Sequence, residues 1–313
     1  MSRPGLRGEL LIAAAACCWG ASAVLGRAMF TGRVAHPVSA LALTEMRNLL
    51  AAVLLLPALA LLRRGAIRLP WRLAWRAFAL GIAGLAASNY LYYLAIARTN
   101  VATAIVVQYT APIWVLVYLV ARRVQRPTPA RVGAVALALF GIALVLQLTQ
   151  PGGALRLDRI GVGGALLAAF AFAYYNLAGE RIVRSADPAL VSLYMLCGAA
   201  VLFLLLRPPW RIWQAHYGPR EWSFFLAFSL LATLIPTLLY IAGLRFVDAT
   251  RAVVTSCLEP VSGILLAALV LGERLAWLQI AGVACVIAAI LLAQKRERPA
   301  YSDKPGLQAG LAR

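Results

Sequence analysis

Ten apolar stretches run through almost the whole chain, each near the roughly 20 residues that cross about 30 Å of hydrocarbon. They cover 9–30, 38–62, 75–97, 101–121, 130–148, 160–182, 188–206, 222–243, 249–271 and 275–294. Inside a bilayer every backbone N–H and C=O must find a partner within the structure, so unbroken runs of this length are helices. Only 13% of residues are charged and 63% are hydrophobic, whereas a soluble domain averages about 25% charged residues. The predicted fold is therefore an all-α polytopic membrane protein with ten transmembrane helices. The first stretch follows Arg3 and Arg7 and is Ala-rich before Cys17, as a signal peptide would be. Its apolar run continues past Cys18, so it is read as helix 1.

One stretch, Leu258–Ala288, repeats an earlier one. It holds Glu259-Pro260 inside an apolar run, a charged turn at Gly272-Glu273-Arg274, and a second apolar run. Gln108–Pro112 falls on Thr255–Pro260 when the chain is slid by about 148 residues, the signature of an internal repeat. The same shift lays Tyr93–Arg98 on Tyr240–Arg245 and Gln125 on Glu273. Two halves of five spans each are predicted, 1–150 and 151–295, with 296–313 a disordered tail. Five is odd, so the second half must enter the membrane upside down, which gives inverted-topology repeats about an axis in the membrane plane.

The net charge of +19 would suggest nucleic acid in a soluble protein. Here the Arg residues sit in short loops between apolar runs, and no nucleic-acid partner is expected. Arg63, Arg64, Arg68, Arg72, Arg76, Arg122, Arg123 and Arg126 lie on one side with the tail. By the positive-inside rule both termini are cytoplasmic. The five cysteines all lie in apolar segments without a CxxC pair and read as packing residues. Nucleotide-loop, HExxH and GxSxG motifs are missing from the sequence, and there is no His, Asp or Cys cluster at helical spacing. The chain is thus read as a non-enzyme without catalytic residues, cofactor or metal.

Polar and aromatic residues at mid-span depth are the candidates for a central site, because lipid cannot satisfy them. Helix 1 offers Trp19 and Ser22; helix 3 offers Asn89, Tyr90 and Tyr93; helix 4 offers Gln108 beside Pro112. From the second half come Tyr174 and Asn176 in helix 6, Tyr240 with Pro236 in helix 8, and Thr255, Glu259 and Pro260 in helix 9. Together they would line a cavity with aromatic walls and a few polar anchors, the usual make-up of a small-molecule site. Each has a plainer reading as well. Aromatics serve as interface belts, to which Trp75, Trp210, Trp213, Trp222 and Trp277 are assigned by position, and membrane Ser and Thr often bond the preceding turn. Glu45 and Arg47 point to different sides of helix 2, and Arg47 is read as structural, bonding carbonyls of a neighbouring helix. Glu259 is the sharpest candidate. A carboxyl group at this depth is costly in its charged form, which makes it a candidate proton carrier or ammonium ligand. Pro112, Pro236 and Pro260 are candidate hinges.

Pro260-Val261, then Leu269–Leu275 with Gly272-Glu273-Arg274, Gly282 in the next span, Trp19-Gly20 with Ser22, and Arg47 together resemble the drug/metabolite transporter superfamily, EamA type. The resemblance spans nearly the whole chain in two copies. Two departures are Gln125 in place of a Glu273-type residue and the lack of an Arg47 counterpart in helix 7. The resemblance implies a ten-helix secondary transporter in a bacterial plasma membrane. The similarity is nearest to YddG-type exporters of aromatic and other neutral amino acids. The implied partners are a small-molecule cargo and membrane lipid, with a monomer as the working state. Nucleobases or lipophilic drugs are the alternative cargoes, and a channel or other non-transporting membrane protein is the remaining alternative.

Overall fold

The computed structural model describes residues 3–30, 39–62, 68–99, 101–147, 158–208, 210–271 and 275–294. Among these there is no strand, and a helix follows each of the ten apolar stretches. We number them α1 (Arg3–Phe30), α2 (Ala40–Leu62), α3 (Trp71–Arg98), α4 (101–121), α5 (Pro129–Val145), α6 (Arg159–Val183), α7 (Pro188–Leu206), α8 (Pro219–Leu244), α9 (249–271) and α10 (Trp277–Ala293). A short helix, Trp210–Gln214, precedes α8. Seven segments among the described residues are long and apolar enough to cross a membrane, and α5 and α10 are apolar helices of 17 residues each. The turn at Glu273, the loop at His36 and the tail after residue 294 lie outside the described residues.

Helix starts follow local chemistry. Pro129 and Pro188 occupy the first turn, where a missing N–H is harmless. The Thr128 hydroxyl accepts from the Arg131 N–H, and the Asp187 carboxylate accepts from the Ala189 and Leu190 N–H groups at 2.9 and 3.2 Å. Asp158 and Asp248 cap α6 and α9 in the same way. Trp75, Trp210, Trp222 and Trp277 stand exposed on the outside of the bundle.

The two halves pack as exchangeable partners. α1 lies on α8 and α9, and α6 lies on α3 and α4; α2 pairs with α7, and α5 with α10. Exchanging the halves converts the α1 pairings into the α6 pairings and leaves α2–α7 and α5–α10 as they are. Contacts also fix the directions. Gly8 meets Phe246 while Ile12 meets Gly243, so α1 runs against α8. Asn176 bonds Tyr240, Gly179 meets Leu244 and Glu180 meets Ala249, so α6 runs with α8 and into the start of α9. The first helices of the two halves are therefore oppositely directed, and the repeats are inverted.

Each half carries the same two irregularities at matching places. α3 passes through a π-helical stretch, Gly81–Ala86, and α8 through another, Leu230–Leu234. In α8 the stretch ends beside Pro236, whose missing N–H frees the carbonyl four residues back. α4 breaks at Tyr109-Thr110 and α9 at Ser256-Cys257, just ahead of Pro112 and Pro260.

Between membrane helices the driving force is close packing, which small residues permit. α3 and α7 cross where Gly81 and Gly198 face backbone. A Cβ on Gly81 would sit 1.9 Å from the Met195 carbonyl oxygen, and one on Gly198 would sit 2.2 Å from that of Phe78. Gly141 and Gly282 face each other across α5 and α10 in the same manner. Gly163 has nothing within 4 Å of such a Cβ. We expect Gly81→Ala and Gly198→Ala to lower the stability of the detergent-solubilised protein by about 1–3 kcal/mol, the usual cost of overpacking. Gly163→Ala should leave it unchanged. Thermal unfolding of the three variants checks this, and equal midpoints would show that the crossing tolerates separation.

Candidate functional site

The exchange of halves fails at the first helices. α6 touches both α8 and α9, whereas among the described residues a cavity of about 630 Å³ lies between α1 and its counterpart neighbours α3 and α4. The cavity extends to Leu146, Gln147 and Leu275, at the end of α5 and just before α10, opposite the end that carries the start of α1.

Its floor is aromatic. Trp19 of α1 and Phe172 of α6 occupy equivalent places in the two halves and converge on Tyr175 and Tyr240. Ring centroids are 5.2 Å apart for Trp19 and Tyr240, 5.6 Å for Tyr175 and Tyr240, and 5.8 Å for Phe172 and Tyr175. Pairs of this kind contribute about 0.5–1.5 kcal/mol each beyond their buried area. Tyr92 and Tyr93, with centroids 5.6 Å apart, add a second aromatic wall from α3.

Polar groups enter from both halves. Ser22 lines the cavity but donates to the Trp19 carbonyl at 2.7 Å. Asn89 lines it from α3. The Gln108 amide donates to the Ser88 hydroxyl at 3.2 Å, and Ser88 donates to the Ala168 carbonyl at 3.3 Å, tying α4, α3 and α6 together. Glu259 lines the cavity from the broken helix α9, and Tyr109 lines it from the break in α4. Pro112 and Pro260 line it beside the two helix breaks. Among the described residues, the buried polar atoms without a partner include Arg47 Nε, Tyr175 OH, Thr233 Oγ1 and Thr237 Oγ1. All four belong to residues that line the cavity. A buried polar atom left unpaired costs about 1–3 kcal/mol, so these four favour a polar occupant.

The other candidates from sequence stand elsewhere. Tyr90 packs with Ala86, Ala199 and Phe203 on the far side of α3. Tyr174 is exposed on the outside of α6. Asn176 is fully buried below the floor, its amide donating to the Phe172 carbonyl and its oxygen accepting from Tyr240. Tyr240 itself lies behind Trp19 and is also fully buried. Thr255 and Pro236 are buried in the helix contacts. The sequence reading passed over Tyr92 and Tyr109, while Tyr175 and Thr237, which helices 6 and 8 also offer by their polarity, do line the cavity. It also cast Arg47 as a structural bond to neighbouring carbonyls. Instead Arg47 lines the cavity, and only its backbone carbonyl serves a neighbour, accepting from Ser229 at 2.7 Å. Helical spacing was the available signal, since Ser88 and Tyr92 lie one turn apart and share the face that holds Asn89.

The end beneath the floor is fastened shut. Glu9 pairs with Arg251 at 3.5 Å, and Arg251 also donates to the Ala293 and Gln294 carbonyls at 3.1 and 2.8 Å. Asp248 caps α9, accepting from the Arg251 N–H. Glu180 holds Arg184 at 2.5 Å and accepts from the Ala249 N–H at 2.9 Å. The Thr250 hydroxyl donates to Gln125 at 3.0 Å. We expect Arg251→Gln to cost about 1.5–3 kcal/mol, the scale of hydrogen bonds to a charged group. It should also raise alkylation of Cys257, fully buried two turns along α9, several-fold. Site-resolved mass spectrometry after maleimide treatment checks this, and unchanged labelling would show that the clamp does not hold this end.

Comparison with known proteins follows from this geometry. Residues 6–147 and 159–294 each match the family model of the EamA-like transporter family. The threonine/homoserine exporter RhtA of Salmonella typhimurium is 28% identical over 231 residues, 70% of this chain and 73% of its own. An uncharacterized transporter of Archaeoglobus fulgidus is 28% identical over 217 residues, 67% and 74% of the two chains. The uncharacterized transporter YwfM of Bacillus subtilis is 28% identical over 235 residues, 72% and 77%. A solved crystal structure superposes with a TM-score of 0.73 at 21% identity, covering 92% of this chain and 96% of its own, a likeness of fold.

Proposed function

The chain belongs to the EamA-like transporter family, and from that premise we propose that it exports small amphipathic metabolites, aromatic and other neutral amino acids foremost, by alternating access through the central cavity. The carrying observation is the cavity itself, aromatic-walled, lined by the Glu259 carboxyl group and reaching toward one end of a two-fold frame. Exchange of roles between the halves closes α1 onto α3 and α4 and parts α6 from α8 and α9. The helix breaks at Tyr109-Thr110 and Ser256-Cys257, with Pro112 and Pro260 beside them, supply the joints. The name of RhtA, a threonine/homoserine exporter, supports an amino-acid cargo. The aromatic floor favours larger side chains than that name implies.

On this reading the protein sits in a bacterial plasma membrane with both termini in the cytoplasm, and the cavity faces outward. Trp19, Tyr92 and Tyr93 flank the cargo side chain, and Asn89, Gln108 and Glu259 hold its polar end. Glu259 is also the candidate proton carrier, because it is a carboxyl group in the path that makes no ion pair among the described residues.

Counterflow in proteoliposomes tests the proposal. Labelled phenylalanine or tryptophan should accumulate against trapped unlabelled amino acid, saturably. A pH gradient should drive wild type and not Glu259→Gln if Glu259 carries the proton. A gradient without effect on either assigns Glu259 to binding alone. Folded protein that moves no amino acid overturns the cargo assignment.

A further inference from the structure

The two acidic and basic groups of α2 have separate fates. Glu45 is fully buried and pairs with Arg207 of α7 at 2.8 Å. That pairing removes the carboxylate nearest in sequence from Arg47. Arg47 is 8% exposed, and among the described residues it has no ion-pair partner. Its Nε has no hydrogen-bond partner, and its guanidinium lies over the Tyr93 ring, 5.8 Å from the centroid. Tyr93 lines the cavity and so does Arg47. A guanidinium held by a ring on one face keeps its planar edge free for a second contact. An uncompensated cation at this depth is expensive, so the edge needs an anionic oxygen pair.

The opposite half supplies the complementary charge. Glu259 enters the same cavity from α9. No direct pair joins the two within 4.0 Å among the described residues. A cation and a carboxyl group thus line one aromatic-walled space without touching.

We propose that Arg47 is the carboxylate-binding residue of the cavity, and that the protein selects cargo bearing a free carboxylate. The carboxylate takes the bidentate edge of the guanidinium, the strong and directional form of such a contact. An α-ammonium group on the same cargo then falls to Glu259. This rests on the proposed amino-acid reading and sharpens it. The cargo must be a zwitterion, and an amine or a neutral drug of the same shape is refused. A site built for a charged group rejects the analogue that lacks it far more strongly than an apolar pocket rejects a missing methylene.

The test compares phenylalanine with two analogues, phenylalaninamide, which lacks the carboxylate, and 3-phenylpropionate, which lacks the amine. Competition against labelled phenylalanine counterflow is one readout. Thermal stabilisation of the purified protein by each compound is the other. In wild type, phenylalaninamide should compete at least tenfold more weakly than phenylalanine. Arg47→Gln should erase that preference, Arg47→Lys should restore part of it, and Glu259→Gln should leave it in place. Equal competition by phenylalaninamide in wild type overturns the inference while the amino-acid reading stands, and needs no variant to fold. If no amino acid moves, Arg47-dependent stabilisation by 3-phenylpropionate keeps the carboxylate site and removes the amino-acid reading. Absence of any stabilisation by either carboxylate, in protein that unfolds cooperatively, overturns the site itself.

Discussion

Hydrocarbon offers no partner to a polar group, and that single cost arranges most of what is seen here. It forces ten helices, and it sends side-chain polarity inward to pair. Glu45 finds Arg207 across α2 and α7, Asn176 finds Tyr240 across α6 and α8, and Ser229 finds the Arg47 carbonyl. The first and third of these bonds join helices of opposite halves, and the second holds two helices of the second half in register. Of the buried polar atoms without a hydrogen-bond partner among the described residues, those of Arg47, Tyr175, Thr233 and Thr237 belong to residues that line the cavity, and those of Glu9, Glu45 and Asn48 do not.

The frame around that cavity has a fixed part and a movable part. The α2–α7 and α5–α10 pairs each map onto themselves when the halves are exchanged, so the axis runs through them. The glycine contact between α5 and α10 places backbone against backbone, as the α3–α7 crossing does, and such contacts do not deform by degrees. α1 and α6 are the elements whose surroundings differ between the halves. The π-helical stretches of α3 and α8 stand where these two helices pack. A π-turn already lacks the regular hydrogen-bond ladder, so bending there breaks little.

The architecture was legible in the sequence because its signals are long. Apolar runs, an offset that superposes Gln108–Pro112 on Thr255–Pro260, and an odd span count per half lead directly to inverted repeats. The lining of the cavity was legible only in part. Trp19, Asn89, Gln108 and Glu259 are conspicuous because they are aromatic or polar in apolar surroundings. Which way each faces is another matter. A helix apolar on every side has no amphipathic stripe to orient it, so Tyr90 and Tyr93, three residues apart, read alike and yet part company. Asn176 and Tyr240 look like site residues because their polarity is visible, while their bond to each other is not. Arg47 could not be placed without knowing that Arg207, far along the chain, takes Glu45. The π-stretch of α3 left no proline to mark it.

The fastening at the terminal end breaks the two-fold pattern in charge. Gly8 and Gly161 hold matching places, each against the last turn of the third helix of the other half. Glu9 and Val162 are therefore counterparts, so the ion pair of Glu9 with Arg251 is not repeated at that place in the second half. Two end states related by exchange of the halves thus differ in energy even when empty. Arg251 is partly reachable by water, its side chain 21% exposed, and dissolved ions weaken such a pair. Ionic strength at the terminal face thus weights the resting balance of the carrier.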